Sequence, residues 1–215
     1  QEQSMSLYIE NAQKFTIRPS AKRKLASEQY HDVTIDSQVN LNLIQFYNTY
    51  PSSEVNGNFM TRWKMYADTP MDESVSQMLY PDIKNKIEGL SDVQAVNQIL
   101  NWVQTAFQYE YDDKVWGHDR AFFAEETLYY PYCDCEDRAI LFTRLVRDLL
   151  GLKCILVYYP GHLASAVCLK QQVNGDYISL DGDVYTICDP TYIGAPVGIT
   201  MPEMDNRSAK VIKLL

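Results

Sequence analysis

Three residues in the second half of the chain have the types and the order of a cysteine nucleophile, its base and the group that orients the base. Cys135 precedes an apolar helical pattern, His162 opens a run with β character, and Asp189 ends a later run of the same kind. A thiol nucleophile needs a base within reach, and the base needs a third polar group that fixes its orientation. The sequence therefore predicts a catalytic triad of Cys135, His162 and Asp189.

The stretch that follows Cys135 is predicted to supply the environment of a nucleophile. Apolar residues recur at steps of three and four over residues 135–150, and Gly151 stands where a left-handed helix cap is wanted. Cys135 then lies in the first turn of a buried helix, where unpaired N–H groups and the helix dipole favour a thiolate. Asp134, Glu136 and Asp137 oppose that charge, so an ion pair with protonated His162 must outweigh them.

An acyl-transfer site also needs donors for the oxyanion that forms on the substrate. The backbone N–H of Cys135 is predicted to be one donor. The second is predicted to come from the polar, aromatic-rich region before the nucleophile, with Trp116 as the first choice and Tyr109 and Gln108 behind it.

Two neighbours of the nucleophile invite other interpretations. Asp137 is predicted to be structural, accepting backbone N–H groups or pairing with Arg138 or Arg144. Cys133 and Cys135 form a Cys-x-Cys pair that a metal or redox protein would use. That pair lacks the two-residue gap of common zinc sites, and no second Cys/His pair follows it. We expect neither a metal nor an organic cofactor, and Cys133 is assigned a structural place near the site.

The order of predicted elements is that of an α+β protein. Residues 91–215 form the predicted core, which opens on a helical pattern and turns after residue 151 to the period-two pattern of antiparallel strands. Residues 1–90 are predicted to be an extension that packs on the core, and nothing in them resembles a catalytic motif. Core strands are predicted near 153–159, 164–170, 177–180 and 184–189. In the extension, we predict strands at 7–9, 15–18 and 31–36, an exposed helix or loop at 19–28, a turn-rich break at 51–57, and helices over 60–66 and 70–88.

Composition excludes several classes of function. The chain has 215 residues and a formal net charge of −9, which argues against a surface for nucleic acid or anionic membranes. No apolar run approaches the length of a membrane-spanning helix. Five cysteines are an odd number without a repeating framework, so a disulfide scaffold is not expected. The chain starts at Gln1 without a signal-like region, which we interpret as the result of processing or truncation.

In their order, these motifs resemble the transglutaminase-like, papain-related superfamily of cysteine enzymes. The resemblance covers about residues 91–191 and lies in Cys135-x-Asp137-x-Ala139, in His162 and in Asp189-Pro190-Thr191. The segment 124–128 resembles the family's lead into its cysteine loop. Cys133 stands where the family usually has glycine, and the aromatic residue that usually follows the histidine is missing. The resemblance implies a cysteine at the start of a buried helix, packed on an antiparallel sheet that carries the histidine and the aspartate.

The resemblance also implies an activity. A Cys-His-Asp enzyme of this kind attacks a peptide or carboxamide bond of a peptide or protein substrate and forms a thioester. An enzyme whose thioester reacts with water is a peptidase or amidase, and one whose thioester reacts with an amine is an acyl transferase. Similarity to the bacterial branch of the superfamily favours hydrolysis. The alternative is a non-catalytic module of the same fold that binds protein or peptide. A location outside the cytoplasm, periplasmic, secreted or surface-anchored, is expected, and the oligomeric state stays open.

Overall fold

The computed structural model describes residues 14–49 and 58–215. Within these ranges the protein is a mixture of α-helices and β-strands, which confirms the predicted α+β class. The helices are α1 (Leu41–Thr49), α2 (Phe59–Asp68), α3 (Glu73–Ile87), α4 (Asp92–Thr105), α5 (Asp112–Val115), α6 (Ala124–Tyr129) and α7 (Cys135–Leu150). The strands are β1 (Arg23–Ala26), β2 (Thr34–Ser37), β3 (Gln108–Tyr109), β4 (Tyr132–Cys133), β5 (Cys154–Tyr159), β6 (His162–Val167), β7 (Tyr177–Leu180), β8 (Asp183–Cys188) and β9 (Lys210–Lys213).

Five strands form one antiparallel sheet in the order β7-β8-β6-β5-β9. Neighbouring strands β6 and β8 run in opposite directions, and Ser165 of β6 pairs with Cys188 of β8. Because antiparallel strands bring the start of one to the end of the other, His162 at the start of β6 and Asp189, which follows β8, lie at the same end of these strands. The turn between β7 and β8 uses Asp181 and Gly182, both with positive φ (53° and 88°), as the Asp-Gly signal predicts.

Helix α7 is the central helix, and it packs against β5 and β6 on one side and α2, α4 and α6 on others. All residues from Cys135 to Val146 are buried. Gly151 ends the helix in the left-handed conformation, with φ 64° and ψ 23°, as the sequence predicts. Because α7 packs on β6, its first residues lie beside the strand that carries His162.

The described residues before 91 pack directly against those after it. Leu25 and Ile35 belong to one apolar cluster with Trp102 and Phe142. Helix α2 contacts α7, and the indole N–H of Trp102 donates a hydrogen bond to the carbonyl of Leu25 at 3.1 Å. The extension is therefore part of the hydrophobic interior rather than a separate appendage.

The predicted elements of the extension have mixed outcomes. Strand β2 and helices α2 and α3 lie where strand and helices were predicted. The prediction of a helix or loop at 19–28 is wrong over β1, which pairs antiparallel with β2. No strand forms at 15–18, and the predictions at 7–9 and 51–57 lie outside the described residues.

Two further findings bear on the composition. The five cysteines are all free thiols, so no disulfide joins the elements. In the described part of the chain, no helix combines the length and the apolar character that crossing a bilayer requires.

One buried carboxyl makes the stability of this fold depend on pH. Glu125, at the start of α6, is 1% exposed and accepts the backbone N–H of Asp72 at 2.6 Å. Burial raises the pKa of Glu125 to about 7. A raised folded-state pKa stabilises the fold at low pH, and that stabilisation is lost as the pH rises through 7.

We therefore predict that Glu125→Gln, which keeps the accepting oxygen, gains stability over the wild type as pH increases. The free energy of unfolding of the variant should rise by about 2 kcal/mol relative to wild type between pH 5 and pH 8. Urea unfolding at the two pH values measures this. Glu28→Gln, at an exposed carboxylate, is the control. A difference that does not change with pH would contradict the assignment.

Candidate active site

His162 and Asp189 form a buried pair where β6 begins and β8 ends. Nε2 of His162 lies 2.8 Å from Oδ2 of Asp189, and the two side chains are 7% and 2% exposed. The other carboxylate oxygen, Oδ1, accepts the backbone N–H groups of Thr191 at 2.9 Å and Tyr192 at 3.2 Å. The tautomer with its proton on Nε2 donates to Oδ2 of Asp189 and leaves Nδ1 to act as a base.

A buried glutamine on α4 holds the turn that carries Asp189. The amide nitrogen of Gln104 donates to the carbonyls of Asp189, Tyr192 and Ala195 at 2.9 to 3.0 Å. Its oxygen accepts the N–H of Gly194 at 3.2 Å. Sequence reasoning missed Gln104. The available signal was a polar residue within the regular apolar pattern of the helix.

Cys135 is the first residue of α7 and borders the same cleft as His162. The backbone N–H of Leu163, the residue that follows His162, acts on the sulfur of Cys135 and lowers its pKa. The thiol itself donates to Oε2 of Glu136, with Sγ and oxygen 3.2 Å apart. In the described part of the chain, the side-chain partner of the thiol is therefore Glu136 rather than His162.

The surroundings of Cys135 favour the protonated thiol. Burial, followed by the charges of Glu136 and Asp134, raises the pKa of Cys135 well above its usual value, and the N–H of Leu163 opposes this only in part. These two carboxyl groups are two of the three acidic neighbours predicted to oppose the thiolate. A thiolate forms here only when the proton passes to His162 or when the nearby negative charge is offset.

Asp137 lies where the first of its two predicted roles would place it. Its side chain is fully buried, and its two oxygens accept the backbone N–H groups of Phe122 at 2.7 Å and Asp134 at 3.2 Å. Arg138 and Arg144 bind other partners, so the predicted pairing with an arginine is wrong. Asp137 thus joins the loop before the nucleophile to the segment that leads into α6.

Cys133 has a different environment from Cys135. It is 3% exposed in β4, and Nε of Arg138 lies 3.5 Å from its sulfur. A guanidinium this close to the sulfur repels a cation, which argues against the metal interpretation of the cysteine pair. This position supports the structural role assigned to Cys133.

The three predicted oxyanion donors occupy different places. Trp116 lies outside the cleft, where the guanidinium of Arg120 stacks 4.3 Å from its ring centre. Gln108 is exposed on β3, and only its neighbour Tyr109 lines the cleft. Burial and the proximity of Cys135 raise the pKa of Tyr109 above its ordinary value, so its hydroxyl keeps the proton that a donor needs. Of the three predicted second donors, only Tyr109 lines the cleft, and its role as a donor, like that of the backbone N–H of Cys135, stays a prediction.

The cleft has a volume of about 470 Å³. Aromatic rings and carboxyl groups make up most of its lining, together with a single buried arginine. The aromatic residues are Phe59, Trp63, Tyr109, Tyr111 and Tyr158; the acidic ones are Asp112, Asp113, Asp119, Asp134 and Glu136; the arginine is Arg62. Sequence reasoning missed the contribution of α2, because Arg62 pairs with Asp119, 57 positions away, at 2.6 Å.

Two groups of side chains in the cleft are close enough to hold a cation. One contains Asp134, Cys135 and Glu136, the other Asp112, Asp119 and Glu136, and in each group the donor atoms lie within 4.8 Å of one another. Their oxygen atoms suit a hard divalent ion. The expectation of no metal stays a prediction.

The contact between Cys135 and Glu136 predicts how the thiol responds to substitution. Glu136→Gln removes a negative charge beside the sulfur, so the pKa of Cys135 should fall. We expect alkylation of Cys135 by iodoacetamide at pH 7.5 to become roughly tenfold faster, with the midpoint of the rate profile at lower pH. Peptide mass spectrometry measures the rate, with Glu28→Gln as the control. An unchanged profile would show that Glu136 does not control the thiol.

Comparison with known proteins assigns the chain to no family. No model of a protein family and no curated protein matches the chain. Membership of the transglutaminase-like superfamily is therefore a proposal that rests on the sequence motifs and on the geometry of the site.

Proposed function

We propose that the chain is a cysteine enzyme with a transglutaminase-like core, which acts on a peptide or carboxamide bond through a thioester. The observation that carries the proposal is the buried hydrogen bond between His162 and Asp189, at the edge of a cleft that also contains Cys135. A buried histidine with one nitrogen held by a carboxylate and the other available is the arrangement of a general base.

The proposed reaction starts with transfer of the Cys135 thiol proton to Nδ1 of His162. The sulfur attacks the substrate carbonyl carbon, and the carbonyl π electrons move to the oxygen. The N–H of Cys135 and the hydroxyl of Tyr109 donate to that oxyanion. When the intermediate collapses, the carbon–nitrogen bond breaks and the amine leaves with the proton from His162. Asp189 holds the imidazole in one tautomer throughout.

The thioester then reacts with a second nucleophile. His162 takes a proton from water or an amine, the new bond forms at the carbonyl carbon, and the sulfur leaves as thiolate. We favour water, because Tyr111 and Asp113 at the cleft are exposed to solvent. The proposed product is a carboxylate, and the enzyme is a peptidase or amidase.

The arrangement of elements supports the proposed fold family. Cys135 begins a buried helix, that helix packs on β5 and β6, His162 begins β6, and Asp189 follows β8. This is the order and placement that the family resemblance implies for residues 91–191.

A second candidate function follows from the resting state of the thiol. Cys135 donates to Glu136, and its pKa is raised well above normal, both of which weaken a nucleophile. A non-catalytic module that binds peptide in the cleft would need no reactive thiol. The enzyme should become acylated at Cys135, whereas the binding module should not, so an acylation experiment distinguishes the two functions.

The test uses p-nitrophenyl acetate, an activated ester that requires a nucleophile and makes little demand on specificity. We expect a burst of p-nitrophenol and an acetylated Cys135 in the intact protein. Cys135→Ala should abolish the burst, and His162→Ala should slow it by on the order of 10³-fold.

Cys168→Ser is the matched control, since Cys168 is a partly buried thiol that does not line the cleft. It should leave the burst unchanged. A burst that survives in Cys135→Ala, or acetylation spread over all cysteines, would overturn the enzyme and leave the binding module.

Asp189→Asn provides an independent prediction. Asparagine keeps the side-chain shape, but its amide group can present an N–H to the ring and stabilise the wrong tautomer. We expect acylation to fall by about 10² to 10⁴-fold while thermal stability changes little. Stopped-flow kinetics and thermal unfolding on the same samples measure both, and a loss of stability that matches the loss of rate would contradict the assigned role.

A further inference from the structure

The cleft holds far more negative than positive charge. Five carboxyl groups line it against one guanidinium, that of Arg62. Arg62 is 2% exposed and bound to Asp119, whose side chain is 65% exposed, so its charge is already paired. The carboxyl groups come from separate segments, α5, the loop after it and the start of α7, and they converge on the same space.

One of these carboxyl groups has an oxygen without a donor. Asp134 lines the cleft and is 8% exposed, and its Oδ1 has no hydrogen-bond partner among the described residues. Buried polar atoms in native proteins are almost always hydrogen-bonded. A ligand that brings N–H groups to this oxygen would satisfy it, and the neighbouring carboxyl of Glu136 lies within 4.8 Å.

The aromatic wall suits the same ligand. Tyr109 and Tyr111 lie edge to face with their ring centres 5.5 Å apart, and Tyr111 is 61% exposed. The ring centres of Trp63 and Tyr158, which also line the cleft, lie 5.6 Å apart. Aromatic faces attract cations and pack against the methylene stem of a long side chain.

We infer that the cleft selects a peptide with an arginine side chain next to the bond that Cys135 attacks. The guanidinium reaches the carboxyl groups of Asp112, Asp134 and Glu136, and its stem packs on the tyrosines. A guanidinium fits better than an ammonium, because it is planar, presents five N–H donors and stacks on aromatic rings. The inference deepens the proposed function and rests on it.

Binding of such a side chain also changes the reactivity of the site. Two of the carboxyl groups that the guanidinium would contact, those of Asp134 and Glu136, lie beside the sulfur of Cys135. A positive charge placed there offsets the negative charge that disfavours the thiolate. The correct substrate therefore assists in activating the nucleophile, whereas a neutral substrate does not.

The test compares peptides that differ at one side chain. Two N-acetylated hexapeptide p-nitroanilides carry either arginine or citrulline before the anilide; citrulline has nearly the same shape and no charge. We expect kcat/KM at least thirtyfold higher for the arginine peptide, with a ratio that falls as sodium chloride rises. A lysine peptide that is cleaved as fast as the arginine peptide would overturn the assignment of a guanidinium.

Variants that remove carboxylate charge test which residues cause the preference for arginine. Asp112→Asn combined with Asp134→Asn should reduce the arginine-to-citrulline ratio to below threefold. Asp32→Asn combined with Asp82→Asn removes the same formal charge from exposed positions away from the cleft and should keep the wild-type ratio. Circular dichroism checks folding, and the wild-type comparison of the two peptides needs no variant.

A binding measurement tests this inference independently of the proposed chemistry. Calorimetry with Cys135→Ala measures the affinity for the two peptides as amides, where no bond is broken. Tighter binding of the arginine peptide, by tenfold or more, supports the inference even if no acylation occurs. Equal binding and equal kcat/KM would overturn it, while a p-nitrophenyl acetate burst at Cys135 would leave the proposed enzyme in place.

Discussion

The structure of the site depends on one buried carboxyl group, that of Asp137. Its two oxygens accept backbone N–H groups from Phe122 and Asp134, which belong to segments before α6 and before α7. These bonds fix the loop in which α7 begins, and with it the direction of Cys135. Since α7 packs on β6, the same helix start also fixes the distance between the nucleophile and His162. Loss of this carboxyl would release the loop without touching any proposed catalytic group.

The start of α7 brings two opposing electrostatic effects to one sulfur. The helix dipole and the N–H of Leu163 favour a thiolate at Cys135, and Glu136 and Asp134 disfavour it. Burial strengthens the carboxyl effect, because charges interact more strongly away from water. The same burial raises the pKa of Asp112 to about 6 and that of Asp134 well above its ordinary range. The site thus gathers carboxyl groups whose ionisation is costly, and a bound cation would stabilise their charged forms.

Local patterns predicted the parts of the site that depend on neighbouring residues in the sequence. The apolar period and Gly151 predicted α7, and the period-two pattern with Asp181-Gly182 predicted the sheet that brings His162 and Asp189 together. Features set by long-range contacts were not predictable. Pairing with β2 makes β1 a strand despite its polar sequence. Trp116 was mistaken for a site residue because aromatic composition does not show which way a loop faces.

The cleft itself crosses the boundary that the sequence suggested at residue 90. Cys135, His162 and Asp189 all lie after it, so the proposed chemistry belongs to the later part of the chain. Arg62 and Trp63 lie before it, on α2, and Arg62 is the only arginine or lysine that lines the cleft among the described residues. Removing the extension would leave Asp119 without its partner and open one wall of the cleft. Part of the cleft lining is therefore encoded before residue 90 and the proposed catalytic residues after it, and the packing of α2 against α7 helps to join them.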